Sequence, residues 1–108
     1  MSAQKPKLYN ALEKRYPRYI EAVEALGKAV TEAGPLDEKT LHLIHLAAAA
    51  AQRAEGAVHS HTRRALKAGA SAQEIEHAFI ALTSTIGFPQ VTAALSWAHD
   101  IIEDSKSK

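Results

Sequence analysis

Cysteine is absent from this chain of 108 residues. Without it there is no disulfide, no thiolate nucleophile, no Cys-x-x-Cys redox pair and no zinc–thiolate centre. Aromatic residues are scarce at 6%, and much of the 46% apolar share is alanine. An Ala-rich core lets helix backbones approach closely but buries little area per residue. The chain is therefore expected to complete its burial as a homo-oligomer. Charge of one sign is missing too: 13 Lys and Arg against 12 Asp and Glu give a net +1 with His neutral. Such a balance provides no field for a nucleic-acid backbone, and no nucleic-acid partner is expected. The locally basic tract QKPKLYNALEKRYPRY reads as a solvated, partly frayed N-terminal helix. Nor is there a long apolar run, so the expectation is neither signal peptide nor membrane span, and a soluble cytoplasmic protein.

What is present reads as helix throughout, without strand pattern or internal repeat. A first helix covers Leu8 to about Arg15 and is interrupted where Tyr16 precedes Pro17. A second starts with Pro17 in its first turn and runs to about Ala33, with Ile20, Val23, Leu26 and Val30 at helical spacing. Gly34-Pro35 stops it. Asp37 caps a third helix, DEKTLHLIHLAAAAAQRA, whose Leu and Ile residues lie on several sides, as expected for the buried centre of the domain. A fourth runs from about Gly56 to Ala68 and stops at Gly69. Ser71 and Glu74 form a capping box for a fifth, whose stripe is Ile75, Phe79, Leu82 and Ile86. Gly87-Phe88-Pro89 breaks that helix, and a sixth runs from Pro89 through Trp97 to about Asp104. The expectation is one all-α domain over residues 1–108, with N-terminal helices at 8–33 and a polar tail at 105–108.

Histidine carries the chemistry that cysteine cannot. His42 and His45, three apart, share one face of the third helix, with Ala49, Gln52 and Arg53 continuing the stripe. The stripe faces either solvent or a cleft. His61 lies on the apolar side of the fourth helix among Ala57, Val58, Ala65 and Ala68, the position of a packed core histidine or of a catalyst. His59 points about 160° away, so the two diverge if the segment is fully helical. His77 and His99 fall off the apolar stripes and receive no role.

The segments LDEKTLHLIHLAAAAAQRAEGAVHSHTRRALKAGASAQEIEHAFIAL and IGFPQVTAAL resemble the carboxymuconolactone decarboxylase and alkylhydroperoxidase D-like family over residues 36–97. The resemblance implies a compact six-helix alkylhydroperoxidase D-like domain, assembled as a trimer or hexamer. The redox branch of that family carries Cys-x-x-Cys-x-x-x-His on the fourth helix and a glutamate on the third. Here the glutamate falls on His42, the cysteines on Ala54 and Ala57, and the histidine on His61. Only the histidine remains, so peroxide reduction through a thiolate and a resolving thiol is excluded. VHSHTRRAL is more similar to the decarboxylase branch, which implies acid–base chemistry. The resemblance also implies that His42 and His61 face one small pocket.

Three functions compete. In the first, the chain is a cofactor-free enzyme of decarboxylase or isomerase type acting on a small organic acid. His61 is the general acid or base, His42 orients or relays, and Arg53 or Arg63, with His59 nearby, holds the substrate. In the second, His42, His45 and His61, with His59 or a residue of a neighbouring subunit, bind zinc or another divalent transition metal; no acidic residue is placed as a further ligand unless Glu55 turns inward. In the third, the chain is a non-catalytic oligomeric binding protein.

Overall fold

The chain divides into two compact units, one up to Leu36 and one from Asp37 onward. They are seen in a computed structural model that describes residues 7–106. Residues 4–6 of the basic N-terminal tract and the last two residues of the polar tail lie outside that range.

The first unit holds α1 (Lys7–Arg15) and α2 (Pro17–Glu32). Pro17 occupies the start of α2, where its missing N–H costs nothing. Arg15 places its guanidinium over the Tyr16 ring at 5.4 Å, and the Tyr9 hydroxyl donates to the Glu24 carboxylate. Of the expected α2 stripe only Ile20 is buried, while Val23, Leu26 and Val30 are exposed.

The second unit holds α3 (Glu38–Ala51), α4 (Glu55–Lys67), α5 (Ala72–Ile80), α6 (Thr83–Ile86) and α7 (Phe88–Lys106). The all-α class is as expected, and the described residues form seven helical segments where six were anticipated. The extra one arises because the fifth helix is split. Leu82 N–H bonds Phe79 C=O in a tight turn, and the Thr83 hydroxyl donates to Ile80 C=O at 2.7 Å. A hydroxyl competing for backbone carbonyls ends α5 there.

Asp37 caps α3 as read from the sequence, its carboxylate accepting from Thr40 N–H at 2.8 Å. The helix nevertheless ends at Ala51, short of the expected Ala54. Arg53 adopts φ 55°, Ala54 N–H reaches back to Ala49 C=O, and Arg53 N–H to Ala50 C=O. This is a Schellman closure with arginine in the place that glycine normally holds. The same closure recurs at Gly69, φ 98°, with Ala70 N–H bonded to Ala65 C=O and Gly69 N–H to Leu66 C=O.

Two long-range ties hold the helices in place. Gln90, on α7, donates to the C-terminal carbonyls of Ala50 and Ala51 at 2.9 and 2.7 Å, adding a second donor at Ala50 to the one from Arg53 N–H and tying α7 to the end of α3. The Ser71–Glu74 capping box forms in both directions. Its Glu74 also accepts from Lys39 at 3.0 Å, joining the start of α5 to α3.

Leu46, Val58, Ile75, Phe79 and Val91 are fully buried, and Ala50, Ala65, Ala94 and Ala98 fill the close approaches between helices. Thr62 is the one buried polar side chain among the described residues, and its hydroxyl has no hydrogen-bond partner. α4 packs on both α3 and α7, which places the histidine-bearing faces of α3 and α4 against each other.

Candidate functional site

Histidines from two helices converge beside the core. On α3, residues 42 and 45 are nearly one turn apart, so both rings leave the same face. On α4, Val58, Thr62 and Ala65 are buried, and His61 lies at the edge of that buried face. Packing α3 on α4 brings the three rings together. Their centroids are 6.0 Å apart for His42–His45, 5.1 Å for His45–His61 and 6.5 Å for His42–His61. One nitrogen from each lies within 4.8 Å of the other two.

The cluster is partly dry. Nδ1 of both His42 and His61 is buried without a hydrogen-bond partner, a situation that costs about 1–3 kcal/mol per group when nothing fills it. Burial, followed by the Arg64 guanidinium and the neighbouring His45 and His42, depresses the His61 pKa to about 4. The His42 pKa is also lowered, again chiefly by burial. Glu38 pulls it upward, while His45 and Arg64 push it further down. Glu38 sits one turn before His42, its carboxylate 3.7 Å from Nε2. That contact leaves Nδ1 of His42 as the nitrogen turned away from the carboxylate.

A pocket of about 430 Å³ opens beside the cluster, lined by Glu38, His42, Arg64, Lys67 and Ala68. His42 therefore belongs to both pocket and cluster. His61, expected to face the pocket, is not part of its lining and stands behind, its ring 6.5 Å from that of His42. The basic residues differ from expectation as well. Arg53 sits in the exposed turn after α3 and Arg63 is exposed on α4, and neither lines the pocket. Arg64 and Lys67 do. The reason is angular: on a helix Arg64 and Lys67 are three apart and share a side, while Arg63 is rotated by about 100° from Arg64. The signal in the sequence was the placement of Arg64 and Lys67 at three and six residues after His61.

His59 diverges from His61 because α4 is helical from Glu55 onward. Its Nε2 is 4.0 Å from the Glu55 carboxylate, on a different side from the cluster. His77 and His99 are exposed. At the positions where a redox relative would carry thiols, Ala54 is the residue before α4 and Ala57 lies in its first turn.

This fold has counterparts. The sequence model of the Carboxymuconolactone decarboxylase family matches residues 17–100. The chain belongs to that family, as a member without cysteine. An uncharacterised protein of Methanocaldococcus jannaschii is 30% identical over 93 residues, covering 86% of this chain and 87% of that protein. An uncharacterised protein of Haemophilus influenzae is 41% identical over 59 residues, 55% of this chain. The match spans 52% of the Haemophilus protein's length. Among solved structures, an apo carboxymuconolactone decarboxylase family protein from Legionella pneumophila superposes with a TM-score of 0.78 at 26% identity, covering 88% of this chain and 84% of that one. No helix of the described residues is long and apolar enough to cross a membrane.

Proposed function

We propose that this chain is a cysteine-free enzyme that binds a small organic acid in the α3–α4 pocket and acts on it by proton transfer at the histidine cluster. The observation that carries this reading is the pairing of two cations with an imidazole in one pocket wall: Arg64 and Lys67 beside His42. Arg64 offers a planar fork of donors suited to a carboxylate, and Lys67 adds a compact second charge. Glu38 on the same wall leaves the acid one end at which to bind, away from its own carboxylate. His42 is the imidazole within reach of a bound molecule. His61 and His45 form the layer behind it, so the roles expected of His61 and His42 are exchanged in order. Family membership supports small-molecule chemistry of this kind, and the missing cysteines leave proton transfer in place of thiol chemistry.

The test is a screen of small lactones and carboxylic acids by calorimetry and turnover, followed by variants against the best of them. Arg64→Ala should weaken binding or raise KM about tenfold, the scale of one charge-assisted carboxylate contact. Arg63→Ala, one residue away on the exposed side of α4, should leave both unchanged. Equal behaviour of the two variants would remove the proposed binding mode.

A further inference from the structure

We infer that His42, His45 and His61 form a three-imidazole site for a divalent transition metal ion of the zinc class. Three observations converge on it. The three rings come from two helices held rigidly by packing, and one nitrogen of each lies within 4.8 Å of the others. A tetrahedral ion with bonds of 2.0–2.1 Å draws its ligand nitrogens to roughly 3.3 Å from one another, so binding closes the three nitrogens in from their present spacing. Two of the three residues present a buried Nδ1 that no protein group satisfies, and an unprotonated imidazole nitrogen is a metal ligand. The third observation is the Glu38 carboxylate at 3.7 Å from Nε2 of His42. A carboxylate behind a histidine favours the tautomer with the proton on Nε2 and directs Nδ1 to the metal.

Edge-to-face packing of the three rings accounts for the ring angles of 90° and 71° but leaves both buried nitrogens unpaired. Metal coordination pairs them. The all-nitrogen donor set selects zinc, cobalt, nickel or copper over calcium or magnesium. Arg64 is a cation close enough to act on both His42 and His61, and it opposes a bare dication. It equally favours an anionic fourth ligand, which the pocket beside His42 has room to admit. Three protein ligands with one open position is the arrangement of catalytic rather than structural zinc. Such an ion acts as a Lewis acid and brings the pKa of bound water to about 7. This inference rests on the reading above only for the acid that such water would act upon. With the ion bound, the metal-held water takes over the proton-transfer role given there to His42, and the ligand set stands without any substrate.

The experiment uses untagged full-length protein stripped with chelator. Co²⁺ titration should produce visible d–d bands of tetrahedral intensity that saturate at one equivalent and are displaced by Zn²⁺. Mass-spectrometric elemental analysis after Zn²⁺ loading and desalting should return about one zinc per chain. His45→Ala and His61→Ala should each weaken Zn²⁺ binding by roughly a hundredfold or more, with helicity checked by circular dichroism. His77→Ala and His99→Ala should leave binding unchanged. Glu38→Gln should weaken it by roughly ten- to a hundredfold, the range for loss of a ligand's carboxylate partner. Absence of a saturable cobalt spectrum in the wild-type protein would overturn the inference whether or not any variant folds. So would retention of zinc by a folded His45→Ala protein. Either result would leave the organic-acid pocket standing, whereas failure of the Arg64→Ala test would leave the metal site standing.

Discussion

Arg53 is a residue whose backbone matters more than its charge. It holds φ 55° at the turn between α3 and α4, a region that costs a residue with a Cβ about 1–2 kcal/mol. Its N–H and that of Ala54 close the C-terminal carbonyls of α3, so the conformation is required by the helix end and the side chain is incidental. Arg53→Gly should therefore raise stability, by up to about 1 kcal/mol after the extra freedom of glycine in the unfolded chain is counted. Urea denaturation with unchanged m-value is the check, and a destabilised variant would mean that the guanidinium makes a stabilising contact. The sequence presented Arg53 as one more member of a polar stripe. That stripe assumed a helix continuing through residue 53, and the left-handed turn takes the residue out of it.

At the scale of elements, the ends of helices are where sequence and structure agree best. Asp37, Gly69, and Ser71 with Glu74 all perform the capping read from the sequence, because a cap is a contact over three or four residues. Ser71→Ala should cost about 1 kcal/mol by leaving the Glu74 N–H unpaired at the start of α5. Ser71→Asp, which can accept the same bond, should restore most of the loss, and thermal melting compares the two. Long-range partners were not legible. Lys39 to Glu74 spans 35 residues and Gln90 to Ala50 spans 40, and neither local periodicity nor turn chemistry marks them. The split between α5 and α6 was missed for a related reason: Ile75, Phe79, Leu82 and Ile86 keep helical spacing, but the hydroxyl of Thr83 takes the Ile80 carbonyl.

For the whole molecule, acid should be destabilising well above the usual carboxylate range. The folded-state pKa of His61, about 4, lies below the ordinary imidazole value of 6.5. Between those values the unfolded chain holds a proton that the folded chain does not. Stability is therefore complete above about pH 6.5 and falls as pH drops towards 4. Burial dominates this shift, with Arg64, His45 and His42 adding to it, and His42 is shifted in the same direction against the pull of Glu38. Asp37, through its bond from Thr40, and Glu74, through its bonds from Ser71 and Lys39, have carboxyl pKa values below their ordinary 3.8 and 4.5. Their contribution is present above those ordinary values and is lost as pH falls through the depressed ones. The signs agree, so metal-free protein should melt at steadily lower temperature from pH 7 to pH 4. His61→Gln should flatten the upper part of that slope. A melting temperature constant between pH 6.5 and 5 in the wild type would contradict the burial of the cluster.

Taken alone, the sequence determined the all-helical class, the absence of thiol chemistry, the family, and most helix ends. Each of these depends on composition or on residues within a turn or two of one another. It also brought His42, His45 and His61 forward as one candidate ligand set. Only the tertiary structure decided how these residues stand towards the pocket. The side a helix presents to its neighbour is set by packing across the core, where Leu46 and Val58 are fully buried. That packing put Arg64 and Lys67 on the pocket wall, left Arg63 outside, and set His61 behind His42. A rotation of 100° per residue separates those outcomes, and no local pattern in the chain fixes its zero.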